Sequence, residues 1–330
     1  MKNIAFTICS NNYLSQAKVL SDSVYQYDKD NYIFYIVLCD KMNEKVDYSI
    51  FHANFIEADK LGIENFKWMT SYYDIVELNT AIKPFAFKYL IKKESPQYIH
   101  YLDPDIRTFA SLNIIEDELG DHSILLTPHS LSPIPFDGKI PTDNIFLNFG
   151  IYNLGFLGIK VDNESQRMID WWSDFLSEHC INDPRTGFFV DQLPMELVPL
   201  YFNNVKVSHH RGLNVAYWNL HDRKFSKKNG SYYLNEKYPL IFYHFSNYKL
   251  SRPDVITTKY TRSKLNEDDC LKSLYDQYYN EMLATDIGNY KSIRCIYTIR
   301  RQKWYRRILR GCSYYFYHYS SLLYSYLSRM

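Results

Sequence analysis

Short apolar segments alternate with segments of helical periodicity along most of the chain, and this order restricts the fold more than any other sequence feature. The strand-like segments are Ile4–Cys9, Tyr32–Cys39, residues 53–58, Tyr98–Leu102, Ser123–Thr127, Ile151–Ile159 and Leu240–Phe245. The helical segments are Tyr13–Tyr25, Ala81–Lys92, Gln166–His179 and residues 268–284. This β-α-β order predicts an α/β fold with a mostly parallel central sheet and helices on both faces. Ligands of such sheets bind beyond the carboxyl ends of the strands.

Local signals refine this prediction at three places. Thr80 is a possible cap of the helix at 81–92, and Pro84 suits its first turn. Residues 128–148 contain several prolines and few helix formers, which predicts a long loop over the site. Asp286–Asn289 is predicted to be a break after the helix at 268–284.

The basic residues are concentrated at the end of the chain. Residues 291–330 hold nine basic residues and no acidic one, whereas residues 1–290 hold 29 basic and 37 acidic residues. A helix from Ile299 onward would place apolar and aromatic side chains in one arc: Tyr305, Ile308, Leu309, Cys312, Phe316, Tyr319, Leu323 and Leu327. Its opposite side would carry Arg300, Lys303, Arg306, Arg307 and Arg310. This pattern is typical of an interfacial helix and predicts that residues 294–330 bind an anionic membrane surface.

Two other interpretations of the basic tail exist. The helix could pack against the acidic body of the same chain. Nucleic acid is a weaker candidate, because no nucleic-acid-binding motif accompanies the charge, and we expect no nucleic-acid partner.

Cysteine spacing and hydropathy suggest where the protein works. None of the six cysteines forms a CxxC pair, which argues against a structural zinc site and a disulfide scaffold. No run approaches the roughly 20 apolar residues of a membrane span, and no signal peptide is recognisable. We expect a cytoplasmic protein, peripheral on the inner face of the cell membrane. The expected organisation is a domain at 1–265, a helix and linker at 266–290, and a basic aromatic tail at 291–330.

Two carboxylates follow the strand at Tyr98–Leu102. Asp103 and Asp105 are two positions apart, a spacing that can turn both side chains to one side of a strand end. Such hard anionic ligands suit Mn²⁺ or Mg²⁺, and the metal could hold a diphosphate. The alternative is a solvated turn around Pro104.

A second group of polar residues follows the late strand. His244 lies between aromatic residues and could supply a nitrogen ligand to the same metal, although a lone histidine is more often a core or surface residue. Lys249 and Arg252 could neutralise a departing diphosphate, or belong to a solvated basic loop.

Together these segments resemble the bacterial GT-A glycosyltransferases, close in pattern to the retaining family 8 galactosyl- and glucosyltransferases, over about residues 3–253. The motif residues that carry the resemblance are Asn12-Tyr13, Lys83, Asp103 with Asp105, Asn153-Leu154-Gly155, Asp191-Gln192, Leu213-Asn214, Trp218-Asn219 and His244 through Pro253. The sequence departs from the family pattern where Ser10-Asn11 replaces an acidic pair and where Asn247 stands in place of glycine. Lys249 is one position early, so Lys249 and Arg252 compete for the phosphate role.

The resemblance implies roles for individual residues. Thr7, Asn12, Tyr13, Lys83 and Asn153 would contact the donor nucleotide-sugar, together with Lys249 or Arg252. Asp103, Asp105 and His244 would hold Mn²⁺ or Mg²⁺. Asp191 and Gln192 would lie under the donor sugar as the catalytic pair, although the residues alone are equally compatible with a helix cap.

The implied activity is the metal-dependent transfer of a hexose from a UDP-sugar, with glucose or galactose as the expected sugar. The acceptor would be a lipid-linked or surface glycan of lipopolysaccharide or capsule synthesis, and the donor's anomeric configuration would be retained. Two alternatives stay open: an inverting GT-A transferase, and a non-catalytic protein that binds a sugar nucleotide or glycan.

Overall fold

The computed structural model describes residues 2–297 and, beyond them, Cys312, Phe316, Tyr319, Ser320 and Leu327. The strands are β1 Asn3–Cys9, β2 Tyr32–Leu38, β3 Asn54–Glu57, β4 Tyr98–Leu102, β5 Ile106–Thr108, β6 Ile124–Leu126, β7 Phe156–Lys160, β8 Asn182–Asp183, β9 Phe188–Phe189, β10 Val205–Val207, β11 Phe225–Lys228, β12 Ser231–Leu234, β13 Tyr238–Pro239 and β14 Phe242–His244. The helices are α1 Leu14–Asp28, α2 Phe66–Tyr72, α3 Ile75–Ala81, α4 Lys83–Glu94, α5 Asn113–Leu119, α6 Asp143–Phe149, α7 Asn163–His179, α8 Val198–Tyr201, α9 Asp269–Leu283 and α10 Ile287–Ser292.

A seven-stranded sheet in the order β10-β6-β7-β4-β1-β2-β3 forms the centre of the molecule. All neighbouring strands are parallel except at β7, which is antiparallel to both β4 and β6. The predicted α/β fold with a mostly parallel sheet and flanking helices is therefore confirmed.

Alternate residues of β1 pack into two different cores. Ile4, Phe6 and Ile8 face the core beneath α2, α3, α4 and α7. Ala5 and Cys9 face the core shared with α1 and α5. Strands buried on both faces read as continuous apolar runs, which explains why β1 and β2 are recognisable in the sequence.

The helix predicted at Ala81–Lys92 corresponds to α4, which begins two residues later at Lys83, and Ala81 is the last residue of α3, a helix that the pattern did not predict. Asp74 caps α3 through a capping box with Glu77, so Thr80 lies inside a helix and caps nothing. Pro84 stands in the first turn of α4, as expected. Because proline has no N–H to continue the α3 hydrogen-bond ladder, the chain breaks at Ile82 and starts a new helix.

Three other boundaries differ from the sequence prediction. The strand expected from Ile151 begins only at Phe156, since residues 152–155 turn toward the site instead of pairing as β7. The loop expected over residues 128–148 ends in α6. The break expected at Asp286–Asn289 is mostly helical and forms the start of α10.

A third apolar core joins the late strands to α9. Leu271, Leu274, Tyr278 and Met282 are buried there, as their helical spacing predicted. The ring of Tyr278 stacks on Phe245 at 3.8 Å between centroids. This core fixes α9 against the segment that carries His244.

The interfacial helix predicted from Ile299 onward lies outside the described residues, apart from five positions. These five have helical backbone, and Phe316 and Leu327 are 80% and 58% exposed. None of the helices within the described part of the chain combines the length and apolar content of a membrane span. The division of the chain at 265 and 290 stays a prediction.

Candidate functional site

Asp103 and Asp105 stand at the carboxyl end of β4, in the middle of the sheet. The Asp103 N–H donates to the carbonyl of Gly155 at 2.7 Å, which ties the turn to the segment before β7. The Tyr101 hydroxyl donates to Asp103 Oδ1 at 2.5 Å. Both carboxylates remain partly exposed, with 28% and 24% of their side-chain surface accessible.

His244 reaches the two carboxylates through a strand pair outside the main sheet. β14 runs antiparallel to β5, with His244 opposite Ile106, and the Phe245 N–H donates to the Asp105 carbonyl at 2.9 Å. Nε2 of His244 lies 2.9 Å from Oδ1 of Asp105 and 3.6 Å from Oδ2 of Asp103. One ligand atom from each of the three residues lies within 4.8 Å of the others.

The charges around His244 favour a cation. Burial alone would lower the pKa of His244, but the Asp105 and Asp103 carboxylates outweigh it and hold that pKa above its ordinary value. Two carboxylates and one imidazole form a mixed oxygen and nitrogen set that suits Mn²⁺, and Mg²⁺ less closely. The donor set therefore fits a divalent metal ion.

Gly155 lets His244 approach the chain before β7. A β-carbon at Gly155 would lie 2.7 Å from His244 Nδ1 and 2.8 Å from Asn153 Oδ1, closer than real β-carbons come. Asn153 is also fixed from another side, because Asn214 Nδ2 donates to Asn153 Oδ1 at 3.0 Å. The Asn-x-Gly segment therefore serves the packing of the histidine in this structure.

Lys83 is buried at the start of α4, between two carboxylates. Its Nζ lies 2.6 Å from Asp191 Oδ2 and 3.5 Å from Asp103 Oδ1, and it donates to the Leu154 carbonyl at 2.8 Å. Burial would lower the pKa of Lys83, but Asp103 and Asp191 together keep it above its ordinary value. Lys83 is thus a buried cation that connects the predicted metal ligands to the predicted catalytic pair.

Asp191 and Gln192 are both buried beside this cation. Gln192 donates to the Phe149 carbonyl at 2.7 Å and accepts from the Leu154 N–H at 3.2 Å. Val190 just before them has a φ of 40°, which is unfavourable for a β-branched residue. Local strain of this kind concentrates at functional sites and is maintained by the surrounding structure.

Two cavities flank Asp105. One is about 550 Å³ and is lined by Asn12, Tyr13 and Lys249 among others. The other is about 220 Å³ and is lined by Asn12, Tyr13 and Asp103 among others. Asn12 and Tyr13 belong to a 3₁₀ turn that leads from β1 into α1. The larger volume is in the range of small-ligand sites.

The remaining predicted site residues divide between the cavity wall and other places. Lys249 lines the larger cavity, whereas Arg252 does not. Thr7 is fully buried in β1 and lines neither cavity.

Asn247 has a φ of 60°, a left-handed conformation that asparagine tolerates better than most residues other than glycine. The replacement of the family's glycine by Asn247 is therefore compatible with the turn.

Several residues that surround the cluster had no predicted role in the site, although Trp218 belongs to the motifs that carry the resemblance. Trp218 lies edge-on to His244 at 5.2 Å and to His129 at 5.4 Å, and His129 stacks on Phe146. Gln16, Tyr278, Met282 and Lys291 line the larger cavity. The spacing of Tyr278 and Met282 showed which face of α9 is buried, but not that this face borders a cavity.

A still larger cavity, about 970 Å³, lies between α4 and α7. Its wall includes Lys60, Lys88, Lys92 and Lys93. None of the predicted site residues lines it, so we place the site at Asp103 and Asp105.

Comparison with known proteins gives relatives and a structural neighbour. No family model matches the sequence. The chain is 30% identical over 249 residues to the uncharacterized protein YfnF of Bacillus subtilis (strain 168), covering 74% of this chain and 81% of YfnF. It is 26% identical over 252 residues to the uncharacterized protein YfnD of the same organism, covering 74% of this chain and 77% of YfnD.

A solved structure of the galactosyltransferase LgtC, in complex with donor and acceptor sugar analogs, superimposes with a TM-score of 0.51 at 15% identity. The match covers 86% of this chain and 96% of LgtC. At this identity the likeness concerns the fold, which is the GT-A fold expected from the motifs. The chain therefore belongs to the family of YfnF and has the fold of the GT-A glycosyltransferases.

Proposed function

We propose that this chain is a metal-dependent glycosyltransferase that moves a hexose from a UDP-sugar to a lipid-linked or surface-glycan acceptor with retention. The observation that carries the proposal is the convergence of Asp103, Asp105 and His244 at the carboxyl end of the central strand of a GT-A fold, where Asp105 borders both cavities and Asp103 borders the smaller one. The GT-A neighbour LgtC was crystallised with donor and acceptor sugar analogs, which supports the same two classes of ligand here.

The side chains present suit the departure of a nucleoside diphosphate. Asp103, Asp105 and His244 would hold Mn²⁺ or Mg²⁺, which supplies positive charge for the diphosphate when bound. Lys249, in the wall of the larger cavity, would add a positive charge on the same side of the site. Asn12 and Tyr13 would contact the nucleotide, since both border the two cavities.

Asp191 and Gln192 would act on the donor sugar. Lys83 holds the Asp191 carboxylate at 2.6 Å, and the backbone of Phe149 and Leu154 holds the Gln192 amide. Groups held this firmly need little reorganisation during the reaction, which favours electrostatic stabilisation of an oxocarbenium-like centre. Lys83 lines neither cavity, so its influence on the donor would pass through Asp191 and Asp103.

The composition of the basic tail supports a location at a membrane. Nine basic and no acidic residues in 291–330 suit an anionic membrane surface, and the exposed Phe316 and Leu327 supply apolar area. We infer attachment to the inner face of the cell membrane, where a lipid-linked acceptor of lipopolysaccharide or capsule synthesis would be in reach.

The test is the release of free UDP from a panel of UDP-sugars, with Mn²⁺ and an acceptor panel, in the full-length protein and in Asp105→Asn. We expect release by the wild type that stops with a chelator and in the variant. Binding of UDP-sugar without release or transfer would favour the non-catalytic alternative. NMR of the product should show the donor's anomeric configuration, and an inverted product would favour the inverting alternative.

A further inference from the structure

Lys291 lies in the wall of the 550 Å³ cavity, although the sequence pattern places it in the basic tail. It belongs to the last turn of α10, which follows α9 and packs beside the turn at Asn11–Tyr13. The same wall contains Asn12, Tyr13 and Lys249. Residues from both ends of the described chain therefore border one cavity.

The cavity wall has an excess of positive charge. Its acidic residue is Asp105, which belongs to the candidate metal cluster, and its basic residues are Lys249 and Lys291. Within residues 2–297 neither ammonium group has a hydrogen-bond or ion-pair partner, whereas Lys41, Lys88 and Lys93 all do. Two exposed ammonium groups in one concave wall, both without a partner among residues 2–297, favour an anionic ligand.

Polar atoms in the same wall also lack partners. Oδ1 of Asn12 and Oε1 of Gln16 are buried and accept no hydrogen bond from the described residues. Buried acceptors without donors are rare in folded proteins and call for a ligand or water that donates to them.

Several contacts hold α10 in position over the turn at Asn11–Tyr13. Tyr290 is 3% exposed and packs in the core below β2, and the Asn289 amide donates to the Lys45 carbonyl at 2.9 Å. After the helix, the Ile296 N–H donates to Asp40 Oδ1 at 3.1 Å. Asp40 also accepts from Asn11 Nδ2 at 2.8 Å, so one buried carboxylate joins the segment after α10 to the turn that carries Asn12. Lys291 is thus carried by an anchored element.

We propose that Lys291 binds the phosphates of a nucleoside diphosphate, together with Lys249. The inference rests on the proposed function, which supplies the nucleotide, and adds a phosphate ligand that lies outside the motif region. It also gives α10 a role in the donor site, directly before the basic tail.

The experiment compares full-length wild type with Lys291→Gln, Lys291→Arg and Lys249→Gln by isothermal titration calorimetry with Mn²⁺ present. The probes are UDP, GDP and uridine, and the control is Lys227→Gln, an exposed lysine on β11 away from the cavity. We expect Lys291→Gln to bind UDP about 10-fold more weakly, the typical cost of one charge-assisted hydrogen bond. Its uridine affinity should be unchanged, Lys291→Arg should retain most UDP affinity, and the control should match the wild type.

The outcomes separate this inference from the function on which it rests. If the wild type binds neither UDP nor GDP, both fail. If the wild type binds UDP but Lys291→Gln binds it equally well, the role of Lys291 alone is refuted. An equal loss of UDP and uridine affinity in Lys291→Gln would also refute it, because that result indicates a disturbed site instead of a lost phosphate contact.

Discussion

Gly155 and His244 approach so closely that a β-carbon at position 155 would lie 2.7 Å from the Nδ1 atom of the histidine. The glycine precedes β7 and the histidine ends β14, so this contact connects the main sheet to the small β5–β14 pair. The position of the imidazole relative to Asp103 and Asp105 depends on it.

Gly155→Ala should displace His244 from the two carboxylates. Small misplacements of this kind have large effects on preorganised sites, so Mn²⁺ affinity and transfer activity should each fall by about 10-fold or more. Mn²⁺ affinity can be measured by electron paramagnetic resonance. The control is Gly288→Ala, because that glycine has open space around its α-carbon and an ordinary φ. Unchanged Mn²⁺ affinity in Gly155→Ala would contradict the assignment of His244 as a ligand.

Asp105→Asn should remove most Mn²⁺ binding and most activity while the protein stays folded. The carboxylate is partly exposed and its loss leaves no large cavity, so we expect little change in the free energy of unfolding. Asp121→Asn, an exposed carboxylate after α5, is the matched control. Near-normal activity of Asp105→Asn in the presence of a chelator would exclude a metal-dependent reaction at this cluster.

Lys83→Met should destabilise the protein by about 3–5 kcal/mol, because it leaves Asp191 charged and buried without its cation. The double variant Lys83→Met/Asp191→Asn should recover part of this loss, since it removes the unpaired charge. Urea unfolding monitored by circular dichroism measures both. Additive losses in the double variant would mean that the two residues do not interact.

His100 should make the protein less stable in mild acid. It is fully buried in β4, and burial lowers its pKa from 6.5 to about 3. Between pH 6.5 and pH 3, His100 is therefore protonated in the unfolded chain and neutral in the folded chain. The free energy of unfolding consequently falls as the pH drops from 6.5 toward 3. At pH 5 this amounts to about 2 kcal/mol relative to pH 7.

The variant His100→Gln tests this dependence. Glutamine cannot titrate, yet its amide could donate to the Tyr32 hydroxyl, which lies 3.0 Å from His100 Nε2. Urea unfolding at pH 7 and pH 5 should show a smaller loss for His100→Gln than for the wild type, by about 2 kcal/mol. An identical loss in both proteins would show that His100 already takes up its proton in the folded state.

Removal of residues 298–330 should leave folding and UDP binding intact and weaken membrane attachment. The cut must follow residue 297, because residues 287–297 contain Lys291 and the buried Tyr290, Ile293 and Cys295. Co-sedimentation with anionic and neutral vesicles should show binding of the full chain that prefers anionic lipid and weakens with salt. Equal binding by both proteins would favour a tail that packs on its own acidic body.

The alternation of strands and helices, and the position of two carboxylates after a buried strand, could be predicted from the sequence. β1, β2 and β4 are buried on both faces, so they appear as apolar runs that only Thr7 and His100 interrupt, and the polar residues after them mark the sheet edge. The helical spacing of the apolar residues that α9 buries could also be predicted from the sequence. These features are local, since a few neighbouring side chains specify them.

Only the tertiary structure decided what the polar residues contact. The sequence already grouped His244 with Asp103 and Asp105, but the structure shows that the pairing of β14 with β5 holds it there. The burial of Lys83 joins Asp103 to Asp191, and the packing of α10 beside Asn11–Tyr13 places Lys291 in the cavity wall. The antiparallel direction of β7 and the helix α3 were also not predicted from the pattern. The physical reason is that each depends on burial and hydrogen bonds between residues far apart in the chain, which periodicity over a short window does not encode.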